Sequence, residues 1–157
     1  MGDIVLDTNV LVHGNNPEVE FCTASRNLVK KILECETKIC VDAGFDPDES
    51  KNRSMIGHEY HTHVRFGSFA YGFLLTIINS KRLVVITRTV DRRIGNLIRQ
   101  RVRKPADRVF LCVAANSRER VLVSHDFVDF SQAKRDSFRQ ELGVMIITAV
   151  SAMDQIA

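Results

Sequence analysis

Asp3-Ile4-Val5-Leu6-Asp7-Thr8-Asn9 runs through three apolar, strand-compatible residues and closes on a carboxylate with two polar neighbours. The run is too short for a helical period and does not alternate, which is the pattern of a central parallel strand covered on both faces. Ligands of open α/β sheets sit beyond the carboxyl ends of the strands. Asp7, with Thr8 and Asn9 beside it, therefore stands where chemistry is done. By itself Asp7 has an ordinary explanation, because most Asp-Thr and Asp-Asn turns only satisfy backbone amides.

The same design recurs in Val121-Leu122-Val123-Ser124-His125-Asp126, another apolar strand ending in an aspartate. Between the two, Pro105-Ala106-Asp107 opens a helix whose apolar Phe110, Val113 and Ala114 follow at helical spacing. The first turn of that helix points Asp107 toward the sheet's edge. A first-turn aspartate is favourable on helix-dipole grounds alone, but that does not explain its coincidence with two strand-end aspartates. Three aspartates converging without a lysine partner would repel, each with a raised pKa, unless a cation sat among them. Oxygen-only ligands that keep open positions suit Mg²⁺ or Mn²⁺.

LDTNVLV at 6–12, ADRVFLCVAA at 106–115 and VLVSHDFVDF at 121–130 resemble, in this order, the PIN-domain family of metal-dependent nucleases, which act mostly on RNA. The resemblance implies an α/β/α sandwich with a five-stranded parallel sheet in the order 3-2-1-4-5. It makes Asp7, Asp107 and Asp126 catalytic metal ligands for Mg²⁺ or Mn²⁺, with a fourth acid from the helix after the second strand. Asp126 has a rival in Asp129; the family pattern favours the residue directly after the strand, which leaves Asp129 auxiliary. Many single-domain relatives are toxins of toxin–antitoxin pairs and many are dimers. The resemblance thus implies an RNA substrate, an antitoxin partner and a homodimer.

The rest of the chain supplies the other layers. A short helical turn and loop cover Leu11 to Pro17, and a helix from Glu18 to Glu36 carries Phe21, Ala24, Leu28, Ile32 and Cys35 on one stripe. Lys38 to Asp42 is a second strand. The loop that follows, Asp46 to Asn52, imitates a calcium loop, but Lys51 stands where glycine is needed and Gly57 where the bidentate glutamate belongs. Helices follow from Ser54 to Arg65 and from Phe69 to Ile78, then a strand from Leu83 to Thr87. A helix from Asp91 to Arg103 stops at Pro105. After the Asp126 turn comes a helix from Ser131 capped by Gly143, then a strand from Val144 to Thr148 and a short tail. Five apolar strands separated by helices make a parallel sheet with right-handed crossovers. No repeat or linker divides residues 1–157, so one domain is expected.

Glu59 is the expected fourth ligand. The helical projection puts Glu59 and His63 on the same side as Met55, Ile56, Tyr60 and Val64, and an inward carboxylate must be protonated, paired or bound to a cation. Asp42, at a strand exit of its own, is the reserve. Thr8 or Asn9 would orient a ligand water, and Ser124 would support Asp126. His58, His61 and His63 do not make a zinc motif, because Thr62 stands where the second histidine of HExxH belongs. Arg92, Arg99 and Arg103 line the polar side of their helix. Only Asp91 offsets charge between Arg88 and Lys104, so this face is a candidate for phosphate contact.

At 157 residues, with 22 Lys and Arg against 19 Asp and Glu, the chain is a globular domain of mild positive charge that permits nucleic acid without diagnosing it. Cys22, Cys35, Cys40 and Cys112 form no CxxC pair and read as reduced core thiols of a cytoplasmic protein. The longest apolar run, Phe69 to Ile78, is too short to span a bilayer. Two other functions compete with a ribonuclease. A haloacid-dehalogenase-like phosphatase would need an aspartate where Asn9 stands, and a PIN-like RNA-binding or interaction scaffold would not need its acids to cluster.

Overall fold

In a computed structural model that describes residues 1–156, the chain runs β1 (Asp3–Leu6), α1 (Thr8–His13), α2 (Cys22–Glu34), β2 (Lys38–Asp42), α3 (Met55–His63), α4 (Phe69–Asn79), β3 (Leu83–Ile86), α5 (Arg92–Arg101), α6 (Pro105–Asn116), β4 (Val121–Val123), α7 (Gln132–Leu142), β5 (Met145–Ile147) and α8 (Ala149–Met153). The strands form one all-parallel sheet in the order β3-β2-β1-β4-β5, as expected. Ile4, Val5 and Leu6 of β1 are fully buried, which is why the strand shows no alternation.

From β1 the chain steps outward to β2 and β3, then returns to the other side of β1 to lay down β4 and β5. Right-handed crossovers place helices on both faces of the sheet. α6 lies across β1, β2 and β4, with α3 and α5 beside it, while α2 packs with α1, α4 and α8. Between β1 and β4 the strand order reverses, and the crevice beyond their carboxyl ends is where such sheets hold ligands. Asp7 leaves β1 at this point, its amide bonded to the Val123 carbonyl of β4 at 2.9 Å.

Local chemistry sets the helix ends. Ser54, Ser68, Asp91 and Thr148 accept from the first-turn amides of α3, α4, α5 and α8. Gly143 ends α7 in the left-handed region, φ 66°, as expected of a glycine cap. Two features differ from expectation. α2 begins at Cys22, and its buried stripe is Cys22, Ser25, Leu28, Val29 and Ile32, rotated from the projected one. The cause is α8, which docks on α2 with Ala149 and Ala152 fully buried. The helix α8 is only five residues, Ala149–Met153, too short to carry a periodic signal.

Asp42, the reserve ligand, is fully buried at the end of β2. One carboxylate oxygen accepts from the Ser54 hydroxyl and the Ile56 amide (2.9 Å); the other accepts from the Met55 amide (2.8 Å) and lies 3.5 Å from the Arg88 guanidinium. Every lone pair that matters is used, and the negative charge sits at the amino end of α3, where the helix dipole favours it. Asp42 thus ties the start of α3 to the sheet. Asp42→Ala should cost about 2–4 kcal/mol in urea unfolding, since it strands buried donors; a change within 0.5 kcal/mol would contradict this anchoring role.

Candidate metal centre

Asp7 caps α1, its carboxylate accepting from its own turn at the Asn9 amide (3.4 Å), and is also gripped from β4. One oxygen accepts from the Ser124 hydroxyl at 2.6 Å and the Asn9 side-chain amide at 2.8 Å. The same Ser124 oxygen accepts the Asp126 amide at 3.0 Å, and the Asn9 carbonyl oxygen accepts the His125 amide at 3.0 Å. Two short side chains thus fix the exits of β1 and β4 to each other. Burial, opposed by these hydrogen bonds and reinforced by the charge of Asp126, pushes the Asp7 carboxyl up.

On the far side of the crevice, carboxylate oxygens of Asp107, Asp126 and Asp129 all lie within 4.8 Å of one another. Asp107 arrives on the first turn of α6, as Pro105 at the helix start requires. Asp126 folds its Oδ1 back onto the Val128 and Asp129 amides, both at 2.8 Å, and this turn swings Asp129 into the cluster. Asp107 Oδ2 and Asp129 Oδ2 are buried and accept no hydrogen bond. Burial first, then the neighbouring Asp129 carboxyl and the charge of Asp7, pushes Asp107 up to about 7. Asp126 goes the other way: burial raises it, but the two amides and Lys104 outweigh this and hold it low.

The aspartates do have a lysine partner, contrary to expectation. Lys104 Nζ lies 3.1 Å from Asp126, 3.7 Å from Asp129 and 3.8 Å from Asp107. Its bond to Asp126, against the effect of partial burial, raises its pKa, so the ammonium stays charged. Its side chain is 63% exposed, unlike the acids it reaches. One exposed cation thus faces three carboxylates, with Asp7 close enough that its charge raises Asp107. Lys104 was legible only as the residue three before Asp107, a spacing shared by many surface pairs.

The fold does not bring Glu59 into this group. Glu59 lies on the flank of α3, whose buried positions are Ile56, Gly57 and Tyr60. It pairs with His63 at 3.6 Å, one helical turn on, and no hydrogen bond or ion pair joins it to the aspartates. The inward position goes instead to Tyr60, whose hydroxyl donates to the Leu6 carbonyl at 2.7 Å and seals the floor beneath Asp7. Of the auxiliary residues, Asn9 and Ser124 orient the acids as described. Thr8 Oγ1 is buried without a partner. Arg92, Arg99 and Arg103 are exposed. α5 ends at Arg101, which turns to Glu141 of α7 at 2.7 Å.

Beside the acids lies a stack of rings that nothing in the sequence pattern marks. His13, Phe21 and His125 are nearly parallel, with centroids 4.4–5.7 Å apart, and Phe127 continues beyond Phe21 at 6.3 Å. His125 Nε2 accepts the Ala149 amide at 3.2 Å, so its Nδ1 donates to His13 Nδ1 at 3.1 Å. Burial, His13 and Arg135 together push His125 down to about 4, so the pair is neutral near pH 7.

No helix among the described residues is long and apolar enough to cross a membrane. Neither a protein-family model nor a curated protein matches the chain. Among solved structures the chain is similar to VapBC2 from Rickettsia felis, solved bound to a DNA fragment from its promoter, at 13% identity and a TM-score of 0.49, covering 93% of this chain and 98% of that one. A likeness this distant assigns no chemistry here.

Proposed function

We propose that the protein is a metal-dependent nuclease that hydrolyses RNA phosphodiesters at the crevice between β1 and β4. The observation that carries this reading is the pair of buried, unbonded oxygens on Asp107 and Asp129, set among further acids at a topological switch point. A structural acid has its lone pairs used; among the described residues these two oxygens have only the exposed Lys104 ammonium, at 3.8 and 3.7 Å. Mg²⁺ or Mn²⁺ would be held by Asp107, Asp126 and Asp129, with Asp7 across the crevice. When bound, such an ion lowers the pKa of a water and offsets charge on the phosphate.

This chain's own residues do the remaining work. Ser124 and Asn9 hold the Asp7 carboxylate in one orientation, ready to accept a proton or a water hydrogen. Lys104, whose exposed ammonium stands at the rim of the cluster, would pair with a phosphate oxygen. Arg92 and Arg99 of α5, with Arg103 just beyond its end, supply further positive charge for the strand to follow. The family resemblance adds RNA as substrate, an antitoxin protein as partner, a homodimer and a cytoplasmic setting to the proposal. Asp129 takes the fourth-ligand place expected of Glu59.

Lys104 also supports a second reading, a PIN-like RNA-binding scaffold in which the lysine neutralises the acids permanently. A phosphatase of the haloacid-dehalogenase type is disfavoured, because Asn9 donates to Asp7 instead of offering it an acid.

Three measurements test the nuclease. Asp7→Asn should lower Mn²⁺-dependent cleavage of a single-stranded RNA at least 100-fold, in line with losing a group that orients the attack; parental activity in pure mutant protein would end the proposal. Lys104→Met should tighten Mn²⁺ binding about tenfold in calorimetry, because ion and ammonium compete for the same oxygens; the scaffold reading instead has no binding in either protein.

The third is a pH effect. Asp107 is raised in the fold to about 7, so its proton must leave before a cation binds, and Mn²⁺ affinity should climb as pH rises through neutrality. The native state without metal holds this proton where the unfolded chain has lost it, so the stability it contributes below pH ~4 fades as pH rises toward 7. Asp107→Asn should therefore be the more stable protein at pH 8, by about 1 kcal/mol after allowing for solvent screening, and should match wild type near pH 4. Equal stability at pH 8 would contradict the crowding of these acids.

A further inference from the structure

We infer that Phe127, at the outer end of the ring stack, is a stacking shelf for a nucleobase of single-stranded nucleic acid whose backbone lies at the aspartate cluster. This deepens the nuclease reading and rests on it. Phe127 and Val128 are 46% and 83% exposed, on a loop whose two ends, Asp126 and Asp129, both turn their carboxylates into the cluster. Two adjacent apolar side chains in water are ordinary on a floppy loop, but this one is held from both sides. Asp126 Oδ1 takes the Val128 and Asp129 amides. From beneath, the buried Arg135 donates to the carbonyls of Ser124 (3.1 Å), Asp126 (3.2 Å), Phe130 (2.7 Å) and Ile146 (3.1 Å). The display of Phe127 is thus built into the backbone.

The ring itself is prepared for a flat ligand. The Arg135 guanidinium carbon sits 4.5 Å from its centroid, and Phe21 is offset beside it with planes 26° apart. Behind Phe21 the hydrogen-bonded His13–His125 pair continues the stack. Aromatic faces bind bases whatever their sequence, because every base has a π-face. A base inside a duplex has both faces covered by its stacked neighbours, so the shelf selects single strands over duplex. Lys104 stands at the cluster next to it, and the segment from Arg88 to Lys104, in which only Asp91 is acidic, gives the chain further positive charge. Asp126 and Phe127 are sequence neighbours, so a base on the ring puts its own phosphate at the acids.

The test uses the full chain in EDTA and a single-stranded RNA nonamer carrying one 2-aminopurine, moved along the strand. Wild type should quench the probe at one position. Phe127→Ala should bind about tenfold more weakly, lose the quenching and keep the salt slope of binding, since no charge is removed. Phe127→Trp should restore both affinity and quenching, and a duplex of the same sequence should bind wild type and Phe127→Ala alike. Unchanged affinity and quenching in Phe127→Ala would overturn the shelf. So would an equal loss for duplex, no binding by wild type, or a wild-type dimer that Phe127→Ala with Val128→Ser turns into monomer, which would mean that a second copy covers the patch. The Mn²⁺ cleavage assay separates the two ideas. Cleavage with an indifferent Phe127 removes the shelf and leaves the nuclease; quenching without cleavage removes the nuclease and leaves a single-strand binder.

Discussion

Four carboxylates brought to one crevice repel, and the surrounding structure is arranged around holding them there. Burying an ionised carboxylate without partners is costly enough that the group usually takes up a proton instead. Asp7 and Asp107 are both pushed upward, burial being the first cause in each. What opposes the repulsion is local: Ser124 and Asn9 on Asp7, two backbone amides on Asp126, and one ammonium spread over three acids. The sheet supplies the rest. β1 and β4 are neighbours only because the strand order reverses between them, and that reversal sets residues 7 and 126 across one gap although the chain separates them widely.

How much of this could be read beforehand follows from the range of each interaction. β1 was readable because a fully buried strand cannot afford alternation, and Asp107 because a proline at the start of a helix fixes which residue lies in its first turn. Both signals are local. Glu59 was placed by projecting α3, and a projection is only as good as its centre: the helix packs on Ile56, Gly57 and Tyr60, leaving Glu59 on the flank with His63. α2 was rotated for a similar reason, since α8 packs on it from the far end of the chain. Asp129 was ranked below Asp126 because a strand-end rule counts residues, whereas the turn closed by Asp126 Oδ1 brings both to the same place. The ring stack was invisible, being made of four residues from three separate stretches.

Arg135 links the acid cluster to the rings. It is 5% exposed, and its nearest carboxylates act through space, not by contact; its hydrogen bonds go to backbone carbonyls. A buried guanidinium is costly unless its donors are used, and here they tie the end of β4, the Asp126 turn and β5 into one unit. The position of Asp126 and the display of Phe127 therefore share a support. A conservative lysine could not replace it, because a single ammonium cannot span carbonyls set around a planar fork.

The same chain holds a control for what a purely structural acid looks like. Asp42 is as deeply buried as any residue in the protein, and its oxygens meet a hydroxyl, two amides and a guanidinium. Asp3, at 9% exposure, likewise has both oxygens on backbone amides, those of Arg118 and Glu119. Asp107 and Asp129 are buried to a similar degree, yet each leaves an oxygen without a hydrogen bond, and among the described residues their ion-pair partner is an exposed lysine at the edge of range. A fold able to satisfy Asp3 and Asp42 completely had the means to satisfy these two or to replace them by apolar residues, which is often the more stable choice. Buried acids kept short of partners make sense when their partner arrives from solution, and oxygens within 4.8 Å of one another suit a small, hard cation better than any side chain.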